Sequence, residues 1–382
     1  MVSKEENDLL TLTGPGTPGG DFMRAYWHPI ALADDVPEDC SPIPLRVLSE
    51  DLVLYRDGQG QLGLLGRWCS HRRMDLAHGW VEDNGLRCAW HAWLYDAAGH
   101  CLEQPMEPPD STYRESIQHP AYSAIERGGI IFGYLGGGEP PVLPEYEFST
   151  VAGEARASAR YLLECNYLQS LEANVDPAQL GPLRWLGQTD PEANSGDATF
   201  EKMEIEPGPT AFGVRLAVLQ ALEGKGQALK EVRNFIMPNL CLAPANGMDG
   251  GVAHWHVPID DTHHWHYVLA FRRDGPITVD EARQNGVQRL EGYRFENPRE
   301  EMTGNAVAYA VLLAESQGPI YDRTREELGD GDRGVIAMRG AIYGGIKDVL
   351  EGADPPHVLR SADERDFRDL AAAKHQMTAT RD

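Results

Sequence analysis

The chain has 382 residues, 42% of them hydrophobic and 24% charged, and a formal net charge of −25. That is a globular composition with room for two or three domains, and its acidity serves solubility while arguing against nucleic acid or an anionic membrane surface as a partner. The longest apolar runs, "GGIIFGYLGGG" and "YAVLLA", are too short to cross a membrane. The opening "MVSKEENDLLTLTGPG" has no apolar signal core, which predicts a cytoplasmic protein. Six cysteines in such a chain are not a disulfide framework, and Cys40, Cys101, Cys165 and Cys241 are expected to be free thiols.

From about 45 to 135 the sequence reads as short strands. "LRVLSEDLVLYRDGQGQLGLLGRWCSH" holds Val- and Leu-rich runs broken by the turn "DGQG", and "GLRCAWHAWLYDAAGHCLEQP" repeats the pattern around "DAAGH". The Gly- and Pro-rich stretch "LGGGEPPVLPEYEF" at 135–148 marks a domain boundary. Beyond it, "YLLECNYLQSLEANVDPAQLG" places apolar residues at 162, 165, 168, 171 and 175, close to helical period, and should end near Gly181–Pro182. Strands follow in "TAFGVRLAVLQAL" and "EVRNFIMPNLCLAP", then a hairpin of "VAHWHVPI" and "HHWHYVLAF" around "DDT". A further helix is expected over about 304–316, and 361–382 reads as a surface helix or frayed tail. The fold class expected is α+β: an all-β unit over 1–148, then a larger α+β unit over 149–382.

Two short motifs carry chemistry. Residues 69–71 are "CSH" and residues 88–91 are "CAWH", each offering one thiolate and one imidazole near the tip of a hairpin-like segment. A Cys2His2 zinc site uses the same ligand types, but zinc fingers pair Cys with Cys and His with His. Mixing the two within each pair suits a two-iron, two-sulfur cluster with two thiolates on one iron and two imidazoles on the other, the Rieske arrangement. The expected ligands are Cys69, His71, Cys88 and His91. Imidazole ligation raises the cluster's potential, so it would accept electrons from a more reducing ferredoxin or flavin reductase.

These motifs, together with "GPGTPGGDFMRAYWHPIAL", "CSHRRMDL", "CAWHAW", "VPIDDTHHWH" and "ESQGPIYDRTREELG", resemble the Rieske non-haem iron ring-hydroxylating oxygenases, specifically α-type subunits of the phthalate-dioxygenase-like branch. The resemblance runs in order along nearly the whole chain. It implies an N-terminal Rieske [2Fe-2S] domain followed by a helix-grip, START-like domain on an antiparallel sheet. It also implies membership of a mono- or dioxygenase acting on aromatic or similar compounds. Within the cluster loops Ser70 stands where Pro is usual, Arg73 for a small or apolar residue, Trp90 for Tyr and Ala92 for Gly. None of these is a ligand.

The resemblance further implies a ferrous iron in the second domain, held by two His and one carboxylate with positions open for oxygen. Laid on "DPAQLGPLR", the family pattern keeps Asp176 but puts Gln179 and Arg184 on the two histidines. Counting back from Glu315 puts Ala310 on the carboxylate. A neutral amide, a cation without a lone pair and a methyl group make no iron site, so no mononuclear iron is expected in this chain. A rescue by the histidine-rich hairpin (His254, His256, His263, His264, His266) is the alternative, with structural histidines the simpler account. In the family Asp176 would bridge to the neighbouring subunit's cluster through the histidine equivalent to His91, around a head-to-tail trimer. Otherwise Asp176 caps or pairs locally, for instance with Arg184. The leading expectation is a subunit that passes electrons to a catalytically complete homologue in a hetero-oligomer and is not catalytic alone. The alternatives are a stand-alone oxygenase with another metal site, or a structural or regulatory subunit.

Overall fold

A computed structural model describes residues 2–38, 40–180, 203–222, 226–288 and 306–370. The chain opens with two short helices, α1 (Lys4–Thr11) and α2 (Pro18–Arg24). The first starts on a capping box, in which Ser3 Oγ accepts from the Glu6 amide at 3.1 Å and Glu6 returns the bond to the Ser3 amide at 2.8 Å. The second has Thr17 as its cap and Pro18 at its first position, where no amide proton is needed.

The N-terminal β unit comprises β1 (Trp27–Leu32), β2 (Ile43–Val47), β3 (Glu50–Arg56), β4 (Leu62–Gly66), β5 (Trp80–Glu82), β6 (Gly85–Arg87), β7 (Leu94–Tyr95), β8 (Cys101–Glu103), β9 (Ala121–Arg127) and β10 (Ile130–Tyr134). Among the described residues these form one sheet in the order β1-β10-β9-β4-β3-β2 and a smaller one, β5-β6-β7-β8. The turn expected at "DGQG" joins β3 to β4: Asp57 Oδ1 accepts from the Gln59 and Gln61 amides at 3.0 and 2.8 Å, and Gly60 takes φ +81°. The smaller sheet has its own core of Leu76, Leu86, Trp93 and Tyr95, into which Cys69 and Cys88 are packed.

The second unit follows β11 (Glu145–Tyr146). It is an antiparallel sheet of β12 (Arg156–Leu163), β13 (Met203–Thr210), β14 (Gly213–Leu222), β15 (Gly226–Ile236), β16 (Leu240–Pro244), β17 (Gly250–Asp260) and β18 (His263–Arg272), in the order β12-β18-β17-β16-β15-β14-β13. Its helices are α3 (Tyr167–Val175), α4 (Val279–Gln284), α5 (Ala306–Ser316) and α6 (Arg333–Leu350), and β19 (Asp366–Phe367) closes on β11. The apolar period read across 162–175 spans two elements: Leu162 lies on β12, and the helix begins only at Tyr167, because Asn166 Oδ1 caps the Leu168 amide at 3.1 Å. Residues 361–370 form turns and the two-residue β19 rather than a helix, and 371–382 lie outside the described residues.

The halves are joined at several places. The β2–β3 turn donates from the Leu48 and Ser49 amides to the Pro258 and Ile259 carbonyls of β17, at 2.9 and 2.8 Å. The first helices side with the far end of the chain: α1 and α2 pack on α6, Tyr167 Oη donates to the Leu10 carbonyl at 2.9 Å, and Arg323 donates to Asn7 Oδ1 at 3.2 Å. A Cβ at Gly345 of α6 would lie 2.6 Å from the Phe22 ring, so only glycine admits this helix contact.

Candidate metal centre and the covered sheet face

Two loops leave the small β core with the same backbone design. In the first, the Cys69 amide bonds the Met74 carbonyl (2.9 Å) and the Arg73 amide bonds the Cys69 carbonyl (2.8 Å). In the second, the Cys88 amide bonds the Trp93 carbonyl (2.8 Å) and the Ala92 amide bonds the Cys88 carbonyl (3.1 Å). Arg73 at φ +61° and Ala92 at φ +58° occupy the equivalent left-handed position in each loop.

The two loops bring the four expected ligands together. Both sulfurs are buried, and they are close enough to share a proton: the Cys88 thiol donates to Cys69, whose pKa falls to about 5 while that of Cys88 rises. Tyr95 Oη lies 3.3 Å from Cys69 Sγ, the His71 and Arg72 amides donate to the same sulfur, and the Trp90 and His91 amides donate to Cys88. Donors aimed at sulfur suit an anionic cluster. The imidazoles sit on the open side. The His71 and His91 rings are 4.5 Å apart at 72°, His71 stacks on Trp93 at 4.6 Å, and His91 lies 4.6 Å from Trp90. The Arg72 guanidinium covers the 51%-exposed Trp90 at 4.4 Å. Two thiolates inside and two half-buried imidazoles outside form a donor set that fits a two-iron, two-sulfur cluster.

Ser70 has an evident role. Its hydroxyl donates to His119 Nδ1 at 2.8 Å, while His119 Nε2 donates to the Gly66 carbonyl at 2.8 Å. A partner in the connection just before β9 thus steadies the first loop. Nothing near Ser70 in sequence pointed to His119.

In the second unit, α3 carries Asp176 at its C-terminal end, where the Asp176 amide bonds the Glu172 carbonyl at 3.2 Å. Glu172 is buried between two guanidinium groups: Arg323 makes a paired contact at 2.8 and 2.9 Å, and Arg339 Nε donates at 2.6 Å. Arg339 also pairs with Glu326. Burial opposes ionisation of Glu172, but the two arginines overcome it and hold the carboxyl below its usual range. Gln179 lies on the turn Pro177–Leu180, its amide oxygen buried without a partner among the described residues. Ala310 is on α5 and Arg184 lies outside the described residues. Gln179 and Ala310 do not supply the donors that a ferrous ion takes.

The histidine-rich hairpin forms as expected, with His254, His256, His264 and His266 on one face of β17 and β18. They hydrogen-bond and stack on one another. His254 Nδ1 is 3.0 Å from His266 Nε2, and the His256 and His266 rings stack at 4.3 Å. Among the described residues no three His, Cys, Asp or Glu side chains converge as a single metal ion requires. His263 faces elsewhere and pairs with Asp260 at 3.0 Å. No described helix is long and apolar enough to cross a membrane.

A family model for the Rieske [2Fe-2S] domain matches residues 26–120, which include all four expected ligands. The chain is 32% identical over 372 residues to the 5,5'-dehydrodivanillate O-demethylase oxygenase subunit of Sphingobium sp., covering 94% of this chain and 84% of the relative. It is 30% identical over 380 residues to the phthalate 4,5-dioxygenase oxygenase subunit of Pseudomonas putida, covering 89% and 85%. The solved reduced complex between oxygenase and ferredoxin in carbazole 1,9a-dioxygenase shares the fold, with a TM-score of 0.62 at 17% identity over 95% of this chain and 97% of that one.

Proposed function

Because the chain belongs to the Rieske oxygenase family, at 30% identity or more to oxygenase subunits over most of their length, we propose that it is the electron-carrying member of a mixed oxygenase assembly. Cys69, His71, Cys88 and His91 would hold a [2Fe-2S] cluster, which supplies one-electron transfer when bound. The observation that carries the reading is the contrast between the two sites. One has a complete donor set with its supporting hydrogen bonds, while the other has Gln179 and Ala310 where ligands are expected.

In this reading His91, on the open side of the loops beside Trp90, is where electrons leave for a homologous, catalytically complete subunit. That subunit would be the neighbour in a trimer-based ring. A ferredoxin, or a flavin reductase, is the proposed donor; a structural neighbour is itself an oxygenase–ferredoxin complex. The ring neighbour would hydroxylate or demethylate an aromatic or related compound. Asp176 at the end of α3 is the proposed bridge, and it matters less here because no iron ligands stand behind it.

The test begins with chemical analysis of the purified chain. Iron and acid-labile sulfide should be equal, at about two of each per chain, and additional iron would overturn the loss of the second site. His91→Ala should abolish the Rieske spectrum and, in assemblies reconstituted with the complete homologue, cut product formation in a single turnover. Full activity with that variant would remove the electron-carrier role. Asp176→Ala in this chain should do less than His91→Ala.

A further inference from the structure

The four expected ligands account for the tips of the two loops but not for what fixes one loop against the other. His119 lies outside the donor set and is 0% exposed. It meets several parts of the N-terminal β unit. Its Nε2 lies 2.8 Å from the Gly66 carbonyl at the end of β4, and its Nδ1 lies 2.8 Å from Ser70 Oγ, between the expected ligands Cys69 and His71. Its ring lies 4.6 Å from that of Tyr95, on the strand that leaves the second loop, and Tyr95 Oη is 3.3 Å from Cys69 Sγ. Its amide bonds the Gly99 carbonyl at 2.8 Å.

The direction of these bonds is set by the partners. A carbonyl only accepts, so the ring proton is on Nε2 and Nδ1 is a bare lone pair. Burial lowers the pKa of His119, which keeps the ring neutral and that lone pair in place. The Ser70 hydroxyl therefore commits its one hydrogen to His119 and has none to give to a sulfur. Serine also leaves the backbone between the two ligands free to turn, where a proline would fix it, and a bond to a buried imidazole that is itself held removes that freedom. In the second loop the same task falls to Arg87, which donates to the Ala92 carbonyl at 2.7 Å.

We propose that His119 is a positioning residue of the metal centre: through Ser70 it holds Cys69 and His71 in place for iron, and through Tyr95 it sets the strand of the second loop against the first. Partners of this kind, one step removed from the ligands, fix ligand orientation. His119 thus governs how firmly the centre keeps its iron, and leaves its potential to the donors already aimed at sulfur. The proposal rests on the [2Fe-2S] reading of the four ligands and needs no role for the chain as an electron donor.

The experiment follows iron release from the full, cluster-loaded chain in excess EDTA, read as the decay of its visible absorbance. Ser70→Ala should lose its colour roughly fivefold faster, the effect of one neutral hydrogen bond, and Ser70→Thr, which keeps the hydroxyl, should match the parent. His119→Phe should release iron at least as fast as Ser70→Ala. Adding Ser70→Ala to it should change nothing more, because the shared bond is already gone. The midpoint potential of Ser70→Ala should equal the parent's. Ser70 is exposed, so its variants carry the test without His119→Phe, whose buried site can fail to fold. An unchanged release rate in Ser70→Ala overturns the proposal. A lowered potential in Ser70→Ala overturns it too, because the hydroxyl would then have been donating to the cluster. Iron and acid-labile sulfide measured on the same samples separate the two readings. A chain without either overturns both, and a chain that holds them but releases iron at one rate in parent and variant overturns this one alone.

Discussion

At Ala92 and Arg73 an L-residue occupies a backbone conformation that glycine would occupy without penalty. A Cβ in the left-handed region crowds the following carbonyl and costs roughly 1–2 kcal/mol. Ala92→Gly should therefore raise stability by up to about 1 kcal/mol, the gain being reduced by glycine's greater freedom in the unfolded chain. Urea unfolding followed by far-UV circular dichroism would measure it, and a loss of stability would mean that the loop needs the methyl group. The convergence of Cys69, His71, Cys88 and His91 was legible from two Cys/His pairs in sequence, because each pair sits on a loop between short strands of one small core. The Ser70–His119 bond was not legible, and neither was the contact of Asn174 on α3 with His256 at 2.6 Å. Each depends on a partner tens of residues away, brought near only by sheet register.

Among the elements, α3 shows how a short helix is held in place. Its nine residues expose little polar surface, and Glu172 is clamped by Arg323 and Arg339, which lie 151 and 167 residues further along. Removing the negative charge would leave two buried cations facing each other. Glu172→Gln should destabilise the second unit by roughly 3–5 kcal/mol. The cluster loops belong to a separate core, so the visible spectrum should persist at denaturant concentrations where far-UV signal has begun to fall. A single coincident transition would show that the two units unfold together. Period alone misjudged the start of this helix because the strand before it is also apolar on its buried face, and only the Asn166 cap separates them. The longest helix, α6, left no clear trace in the sequence: its glycines at 334, 340, 344 and 345 lower helix propensity, and packing against α2 overrides them.

For the molecule as a whole, acid is the sensitive variable. His28, His254, His256, His264, His266 and His357 are all lowered by burial, His254 to about 3 and His28, His264 and His357 to about 4. In the unfolded chain these groups protonate near pH 6.5, so below that value the unfolded state binds more protons. Stability is complete above about pH 6.5 and falls as the pH drops toward 4, at about 1.4 kcal/mol per pH unit for each group. Denaturation midpoints between pH 7 and 5 should drop steeply. Replacing His28 with Gln should flatten the slope by about one proton, and an unchanged slope would show that this ring is charged in the folded protein. The two-unit order and the antiparallel sheets were legible because alternation and turn residues are local signals. The siting of α1 and α2 was not, since their partners lie at the opposite end of the chain.

That siting has a consequence for how the protein is made. Asn7 meets Arg323 across 316 residues, and Tyr26 donates to the Pro356 carbonyl across 330. α1 and α2 therefore cannot meet the surface they cover until the residues of α6 and those beyond it have been made. The β strands between them and the domain boundary find their partners within the same stretch and can close as soon as residue 134 has emerged. The loops that carry Cys69, His71, Cys88 and His91 can thus form before α6 exists. The packing of α1 and α2 on α6 can follow only after both cluster-bearing loops have been made, so the N-terminal β unit need not wait for the helices that flank it.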